Sequence, residues 1–582
     1  MNLIFQTLYF AQNDMVGRQA NSRYPATGNV QLNIPSFPVL TDKPKISDFR
    51  SEPTPCALDL NWKTSLKCSA LVKLYDGKGA VVEERDSALP QKECSVSFAG
   101  LQPGKYRVAV ESKALNGSKD NYLSAFITVP AVGKTTEGAW LKVRGKYIVD
   151  ASGKPFQMVG MARCQYHEGH EKNLFGPLAD QMEYYRSLGL NCIRLAISPN
   201  RDFCPDANFH KEGADKYVEK YVDPDVQEII KAGLYVIIDD HSFGDTPETA
   251  RTRIPIWEAI ARRYKDEPMV AVYELWNEPC MKPAGLSPQS AKDLRQWYAE
   301  CIKAIRKYDT RHILMVSDWN AGWGAATAPM WAPVKFKVDE PYRQVIFSKH
   351  MAKDHCNANF VKDVLDKVAN TWNVPLLIGE LELEGGLQTE KDLSILLDIL
   401  AKNPNKYGVW LWRPHDPDAI FTSTWSPWAK KYASPVKHGM TFPKKTYVEQ
   451  KNTFKVGSLK LSGKALTTVG GNEAIAVSPE IPQYGWITIE LGRTLPPGSY
   501  KFESRMAVSS GAPSFALYIE DGDKQIQVSP FVNADKPGVS PLVFNVWIEK
   551  PFSKLIMKKT SPGNQPSIGL MDFVLTHRKK SE

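Results

Sequence analysis

At 582 residues the chain is too long for one compact core and should divide into roughly two to four domains. Hydrophobic residues make up 43% and charged residues 24%, the balance of an ordinary globular protein. A formal net charge of +9 is modest for this length. With no basic helix, no zinc-type cysteine spacing and no phosphate-cradling glycine loop, nucleic-acid and nucleotide partners are set aside.

Met1 to Gln12 resembles the apolar part of a secretion signal but lacks the positive residues that should precede it. Residues 13–43 are rich in Pro, Asn, Ser and Gly and read, with the first twelve, as a leader. From 44 to 132 short alternating stretches appear, separated by Asp76-Gly77 and Pro103-Gly104, which predicts an Ig-like or fibronectin-like β-sandwich. Residues 130–137 read as a linker. No apolar run approaches the roughly 20 residues of a membrane-spanning helix.

Between 139 and 440 strands alternate with helices. The expected strands are 156–162, 191–197, 235–240, 270–276, 313–317, 345–349, 376–380 and 408–412, with helices such as 179–188, 224–232 and 289–308 between them. Eight such units fit an α/β fold of the (β/α)8 TIM-barrel type. A doubly wound open sheet does not account for polar residues at the C-terminal end of nearly every strand. After 455 the chain returns to β character, and 455–580 predicts a jelly-roll-like sandwich in which Trp486 and Trp547 read as core, with carbohydrate binding by the module expected from architectural analogy alone. The nine scattered cysteines read as buried thiols, with one bridge among Cys56, Cys68 and Cys94 as the alternative.

Chemistry concentrates in Val270-Ala-Val-Tyr-Glu-Leu-Trp-Asn277-Glu278-Pro279. A central strand cannot easily continue past Pro279, which lacks the N–H a ladder needs, so Asn277 and Glu278 should stand at a strand's C-terminal lip. Pro375-Leu-Leu-Ile-Gly379-Glu380 offers a second such lip. Two carboxylates about 5–5.5 Å apart on separate strand ends can break a glycosidic bond with retention, one as nucleophile and one as proton donor. A metal site is the other thought for two glutamates beside His241 and His350, but no His-Glu-x-x-His spacing supports it.

In family order these motifs resemble glycoside hydrolase family 5, the retaining endoglucanase and mannanase group of clan A. The resemblance covers residues 139–430. It runs from Val143-Arg-Gly-Lys-Tyr-Ile-Val-Asp through Leu188-Gly-Leu-Asn-Cys-Ile-Arg194 and Gly233-Leu-Tyr-Val-Ile-Ile-Asp-Asp-His241 to Leu275-Trp-Asn277-Glu278-Pro279. Val345-Ile-Phe-Ser-Lys-His350, Pro375-Leu-Leu-Ile-Gly-Glu380 and Gly408-Val-Trp-Leu-Trp412 complete it. It implies Glu278 as acid/base, Glu380 as nucleophile and Arg194 as the nucleophile's support. It further implies that Asn277, His241 and His350 contact substrate and that Trp412 forms the platform under the sugar. One departure stands out: the family places a tyrosine two residues after the sixth-strand histidine, and this chain has Ala352. Losing that hydrogen bond to a charged group is worth about 1.5–3 kcal/mol.

The sequence thus predicts a retaining, endo-acting hydrolase of a β-linked polysaccharide, β-1,4-glucan first, with a β-mannanase or other clan A β-glycosidase, or a non-catalytic glycan-binding protein, as alternatives. The expected partner is a poly- or oligosaccharide, with no cofactor, no metal and no membrane span. A monomer, secreted or otherwise extracytoplasmic, is expected from a polymeric substrate and appended β-modules. Trp257, Trp319, Trp323, Trp425 and Trp428 are further candidates for sugar subsites.

Overall fold

The computed structural model describes residues 42–580 except 55, 131–137, 165–177, 198–211, 243–245, 280–287, 318–341, 353–355, 383–386, 404, 412–424, 437–446, 478–479, 510–513, 530–531, 534–536 and 562–567. The leader and the expected linker therefore lie almost wholly outside the described residues.

Alternating polarity builds the N-terminal part. Its strands β1 (Ile46–Thr54), β2 (Ala57–Asp76), β3 (Val81–Ala99), β4 (Gly104–Ala114), β5 (Lys119–Leu123) and β6 (Ile127–Val129) form one antiparallel sheet. They join in a single ladder because the 20-residue β2 pairs β1 along its first half, β4 along its second and β3 along both. Leu58, Leu60, Trp62, Val72 and Phe98 fill its core. Cys56, Cys68 and Cys94 are buried here as free thiols. The sheet is fastened to the barrel by polar contacts. Asn373 donates from Nδ2 to Ser97 Oγ (3.2 Å) and accepts from the Ser97 N–H (3.1 Å), and Lys146, which follows the sheet in sequence, bridges Glu83 of β3 (3.3 Å) and Asn370 (3.0 Å).

After a short hairpin of β7 (Lys142–Arg144) and β8 (Tyr147–Val149), eight parallel strands close into a barrel. They are β9 (Val159–Cys164), β10 (Cys192–Ile197), β11 (Tyr235–Asp240), β12 (Val270–Glu274), β13 (Ile313–Ser317), β14 (Val345–Ala352), β15 (Leu376–Glu382) and β16 (Val409–Leu411). Every residue of β10, β11, β12 and β13 is buried, as expected of strands covered on one face by helices and on the other by the barrel interior. Helices Leu178–Ser187, Asp223–Lys231 and Pro288–Arg306 stand where the sequence periodicity puts them, within two residues. No helix among the described residues is long and apolar enough to cross a membrane.

Beyond the barrel lie a seven-stranded and a six-stranded antiparallel sheet that share one hydrophobic core, including Ile475, Phe502 and Phe544 from the first and Ile489, Leu517 and Met557 from the second. The first strand of this part, Tyr447–Phe454, pairs with the last, Phe573–Lys580, in unbroken register from Tyr447↔Lys580 to Phe454↔Phe573. Trp486 departs from expectation: it is 50% exposed rather than core. Trp547 is only partly buried.

Candidate active site

The C-terminal ends of β10, β11, β12, β14 and β15 bring six of the seven expected site residues together; Trp412 lies outside the described residues. Arg194, from the middle of β10, is fully buried and surrounded by acceptors. Its Nη1 donates to Glu380 Oε1 at 2.7 Å, and Nη2 donates to Asn277 Oδ1 at 2.7 Å. Nε and Nη2 also reach both oxygens of Glu274, at 2.5 and 3.0 Å, and Nη2 lies 3.0 Å from Asp239 Oδ2. The forked pairing with Glu274 is strong and directional and fixes the guanidinium, which then presents Nη1–H to Glu380 Oε1 from a set position.

His241 Nδ1 lies 2.6 Å from Asp239 Oδ2, and Asn277 Nδ2 lies 3.3 Å from His241 Nε2. Asn277 can therefore donate to an imidazole nitrogen whose opposite N–H donates to Asp239. That uses one of the two amide hydrogens and leaves the other for a ligand. His350 Nδ1 stands 2.7 Å from Glu278 Oε1 and 3.3 Å from Glu380 Oε2. Ligating atoms of Glu278, His350 and Glu380 all lie within 4.8 Å of one another. The two glutamates thus face each other across one gap, bridged by a histidine.

Local backbone geometry explains the convergence. From Lys349↔Ile378 the β14–β15 register jumps to His350↔Glu380, so Gly379 is the extra residue of a bulge that turns Glu380 toward His350. A Cβ on Gly379 would sit 2.0 Å from Ser348 Oγ and 3.3 Å from His350 Nε2. Gly379→Ala is accordingly expected to cost about 1–3 kcal/mol of stability. The same change should lower kcat by about a hundredfold through a displaced Glu380. Thermal melts and kinetics check both, and adding Ser348→Ala should recover most of the melting temperature.

Glu278 has φ of +37°, in the left-handed region that bulky residues avoid. The strain is held from behind: the Asn277 N–H donates to Asp240 O (2.8 Å), and Trp276 Nε1–H donates to Ser242 O (2.8 Å). Buried Arg253 donates to Asp240 Oδ2 at 2.6 Å and lies over the Trp276 ring at 4.5 Å.

Burial differs between the two glutamates. The Glu380 side chain is 4% exposed and that of Glu278 18%, so only Glu278 meets solvent appreciably. Burial pushes the Glu380 carboxyl well above the usual range; the Arg194 guanidinium opposes this, and the Glu278 charge adds to it. Burial also lowers His350, which favours a neutral ring donating to a carboxylate. Glu274 and Asp239 are raised to about 7 and about 8, chiefly by burial and against the pull of Arg194.

Asp239 and Glu274 are the members of this site that the sequence reading passed over. Their signal is a charge inside a run of otherwise apolar strand residues, where only a partner makes burial tolerable. Trp257, Trp425 and Trp428, taken as candidates for sugar subsites, are buried packing residues instead: Trp425 stacks on Trp428 at 5.8 Å, and Trp257 lies against Tyr273 at 6.0 Å. Trp319 and Trp323 lie outside the described residues. Ala352 is the last residue of β14 and pairs with Glu382.

Residues 149–416 match the family described as cellulase (glycosyl hydrolase family 5), a segment that contains all eight barrel strands. Over that segment the barrel matches glycosyl hydrolase family 5. The chain is 30% identical over 192 residues to an endoglucanase of Clostridium saccharobutylicum, covering 32% of this chain and 39% of that protein. It is 27% identical over 205 residues to a β-xylosidase of Phanerodontia chrysosporium, covering 31% and 40%. The matches thus span about two fifths of the length of these curated relatives. Among solved structures, a β-glucanase from Saccharophagus degradans is similar at 20% identity and a TM-score of 0.39, over 52% of this chain and 98% of that one. A β-mannanase from Thermomonospora fusca is similar at 15% identity and a TM-score of 0.37, over 51% and 92%.

Proposed function

We propose that the chain is a retaining glycoside hydrolase that cuts within a β-linked polysaccharide, with β-1,4-glucan as the first substrate to test. One observation carries the reading: oxygens of Glu278 and Glu380 lie within 4.8 Å of each other and of His350. That spacing suits a nucleophile and an acid flanking one bond, and is tighter than the roughly 6.5–9.5 Å that leaves room for an attacking water in inversion.

In this reading Glu380 attacks the anomeric carbon from the buried side in its ionised form, which burial opposes and the Arg194 guanidinium at 2.7 Å favours. Glu278, at the solvent edge, protonates the departing glycosidic oxygen and then takes a proton from the water that releases the covalent sugar. The difference in exposure suits the roles, because the acid/base must exchange protons with water while the nucleophile must not be over-solvated. Asn277 offers its remaining amide hydrogen to a sugar hydroxyl, His241 orients Asn277, and Trp412 is assigned the platform under the sugar. No cofactor is needed for this chemistry. Part of the same reading is the division into a leader over 1–43, an Ig-like module over 44–132, the barrel over 139–440 and a jelly-roll-like module over 455–580. So are action as a monomer and export to where polymers are met.

Hydrolysis of a defined panel of gluco- and manno-oligosaccharides, with product anomers followed by NMR, tests the proposal. The β-anomer is expected first, from internal bonds of gluco-oligosaccharides. Initial α-anomer would refute retention, cleavage confined to mannosides would move the substrate to mannan, and no cleavage of any member would remove the hydrolase reading.

A further inference from the structure

We infer that the outward face of the six-stranded C-terminal sheet is a glycan-binding platform, on which Trp486, Tyr484 and Tyr518 seat pyranose faces around Lys558. This goes beyond the hydrolase reading and stands without it. Among the described residues four aromatic side chains are prominently exposed, and two of them, Tyr484 (59%) and Trp486 (50%), are two positions apart. Both rings converge on one ammonium: Lys558 Nζ lies 6.0 Å from the Tyr484 ring, 5.9 Å from Trp486 and 5.2 Å from Tyr518.

The display of these rings is built rather than incidental. Tyr484 has φ of +68°, a strained conformation for a bulky residue, and the turn that holds it is fastened to the neighbouring strand Phe552–Lys559. The Tyr484 N–H donates to Lys559 O (2.8 Å), the Lys559 N–H to Gly485 O (2.9 Å), and buried Lys559 Nζ to Ile481 O (3.1 Å). Cross-strand register then sets Trp486 beside Lys558, and Thr488 two pairs further along on the same face. Tyr518 pairs with Gln527, whose Oε1 accepts from its hydroxyl at 3.2 Å.

The chemistry of this face selects its occupant. Besides the rings and Lys558 this face carries Thr488 and Gln527 and, further along, the ion pairs Lys460–Glu490 (3.5 Å) and Lys554–Glu520 (3.8 Å), so it offers a lipid surface no contiguous apolar patch. A pyranose suits such a mixture: a C–H face that packs on an aromatic ring and a rim of hydroxyls that need donors and acceptors. Among the described residues Lys558 has no ion-pair partner, so its charge remains for the oxygen-rich rim or for a uronate carboxylate.

The test is affinity electrophoresis of the full chain carrying Glu380→Gln, in gels containing β-glucan, glucomannan or polygalacturonate. Retardation is expected in at least one gel, and the polymer that retards separates neutral from acidic ligands. Trp486→Ala should weaken it by about tenfold, Trp486→Phe should keep it, and Tyr518→Ala should reduce it. In the otherwise native chain, Trp486→Ala should leave turnover of a short soluble oligosaccharide unchanged. The proposal is overturned if retardation is absent in every gel or is equal in all variants. It is equally overturned if sedimentation shows self-association that Trp486→Ala abolishes while glycan binding persists, since the face would then bind a second copy.

Discussion

Glu380→Ala is expected to lower kcat/KM by about four orders of magnitude or more while leaving oligosaccharide binding largely intact, because the nucleophile forms the bond on which both steps depend. Glu278→Ala should cost less, about 10²–10⁴, the usual contribution of general acid–base catalysis. The two defects also differ in kind. An aryl glycoside with a good leaving group needs little protonation, so it should largely rescue the first step in Glu278→Ala and do nothing for Glu380→Ala. Azide separates them further. In the cavity left at Glu380 it attacks the sugar directly and gives the inverted glycosyl azide. At Glu278 it intercepts the covalent intermediate and gives the retained one. The proposed assignment rests on the buried ion pair from Arg194 to Glu380 at 2.7 Å and on the more exposed position of Glu278. Identical azide products from the two variants would show that the assignment is wrong.

The eight barrel strands were readable because strands buried on both faces require continuous apolar runs, and those runs stand out between amphipathic helices. Glu278 and Glu380 stood out for a more local reason: Pro279 closes the apolar run that contains β12, although the strand itself stops at Glu274, and Gly379 permits the bulge in β15. The same two-sided burial hid Glu274 and Asp239. In a strand with no polar face, period-two counting does not say which residues point into the barrel, and the Arg194–Glu274 contact joins residues 80 apart in sequence. Trp486 was misplaced although its signal was present. Its strand reads exposed, buried, partly buried, buried, partly buried, buried from Trp486 to Leu491, which sets Trp486 on the polar face with Thr488 and Glu490. The hydrophobicity of one ring outweighed the polarity of its two same-face neighbours.

Arg194→Met should be the most destabilising change in the barrel. It removes the guanidinium that pairs with Glu274, Glu380 and Asp239, and breaking a buried pair by removing one partner costs about 3–5 kcal/mol. The pH dependence identifies the cause. In the native chain Asp239 and Glu274 are raised to about 8 and about 7 from ordinary values near 4, so the folded protein holds protons that the unfolded chain releases. Their contribution therefore makes stability fall as pH rises from about 4 to about 8, and level off above that window. Arg194 limits this loss by pulling both groups down. Without it the folded-state values move further up, and the fall should steepen and extend to higher pH. Below about pH 4 the carboxyls are protonated in both states, and only lost packing and hydrogen bonds separate variant from native protein. Denaturation midpoints read from tryptophan fluorescence at pH 4, 6 and 8 should thus diverge with rising pH. A constant gap between the two proteins would instead mean that Arg194 acts by filling space. The positioning of Glu380 would then have to be assigned to His350 and the Gly379 bulge alone.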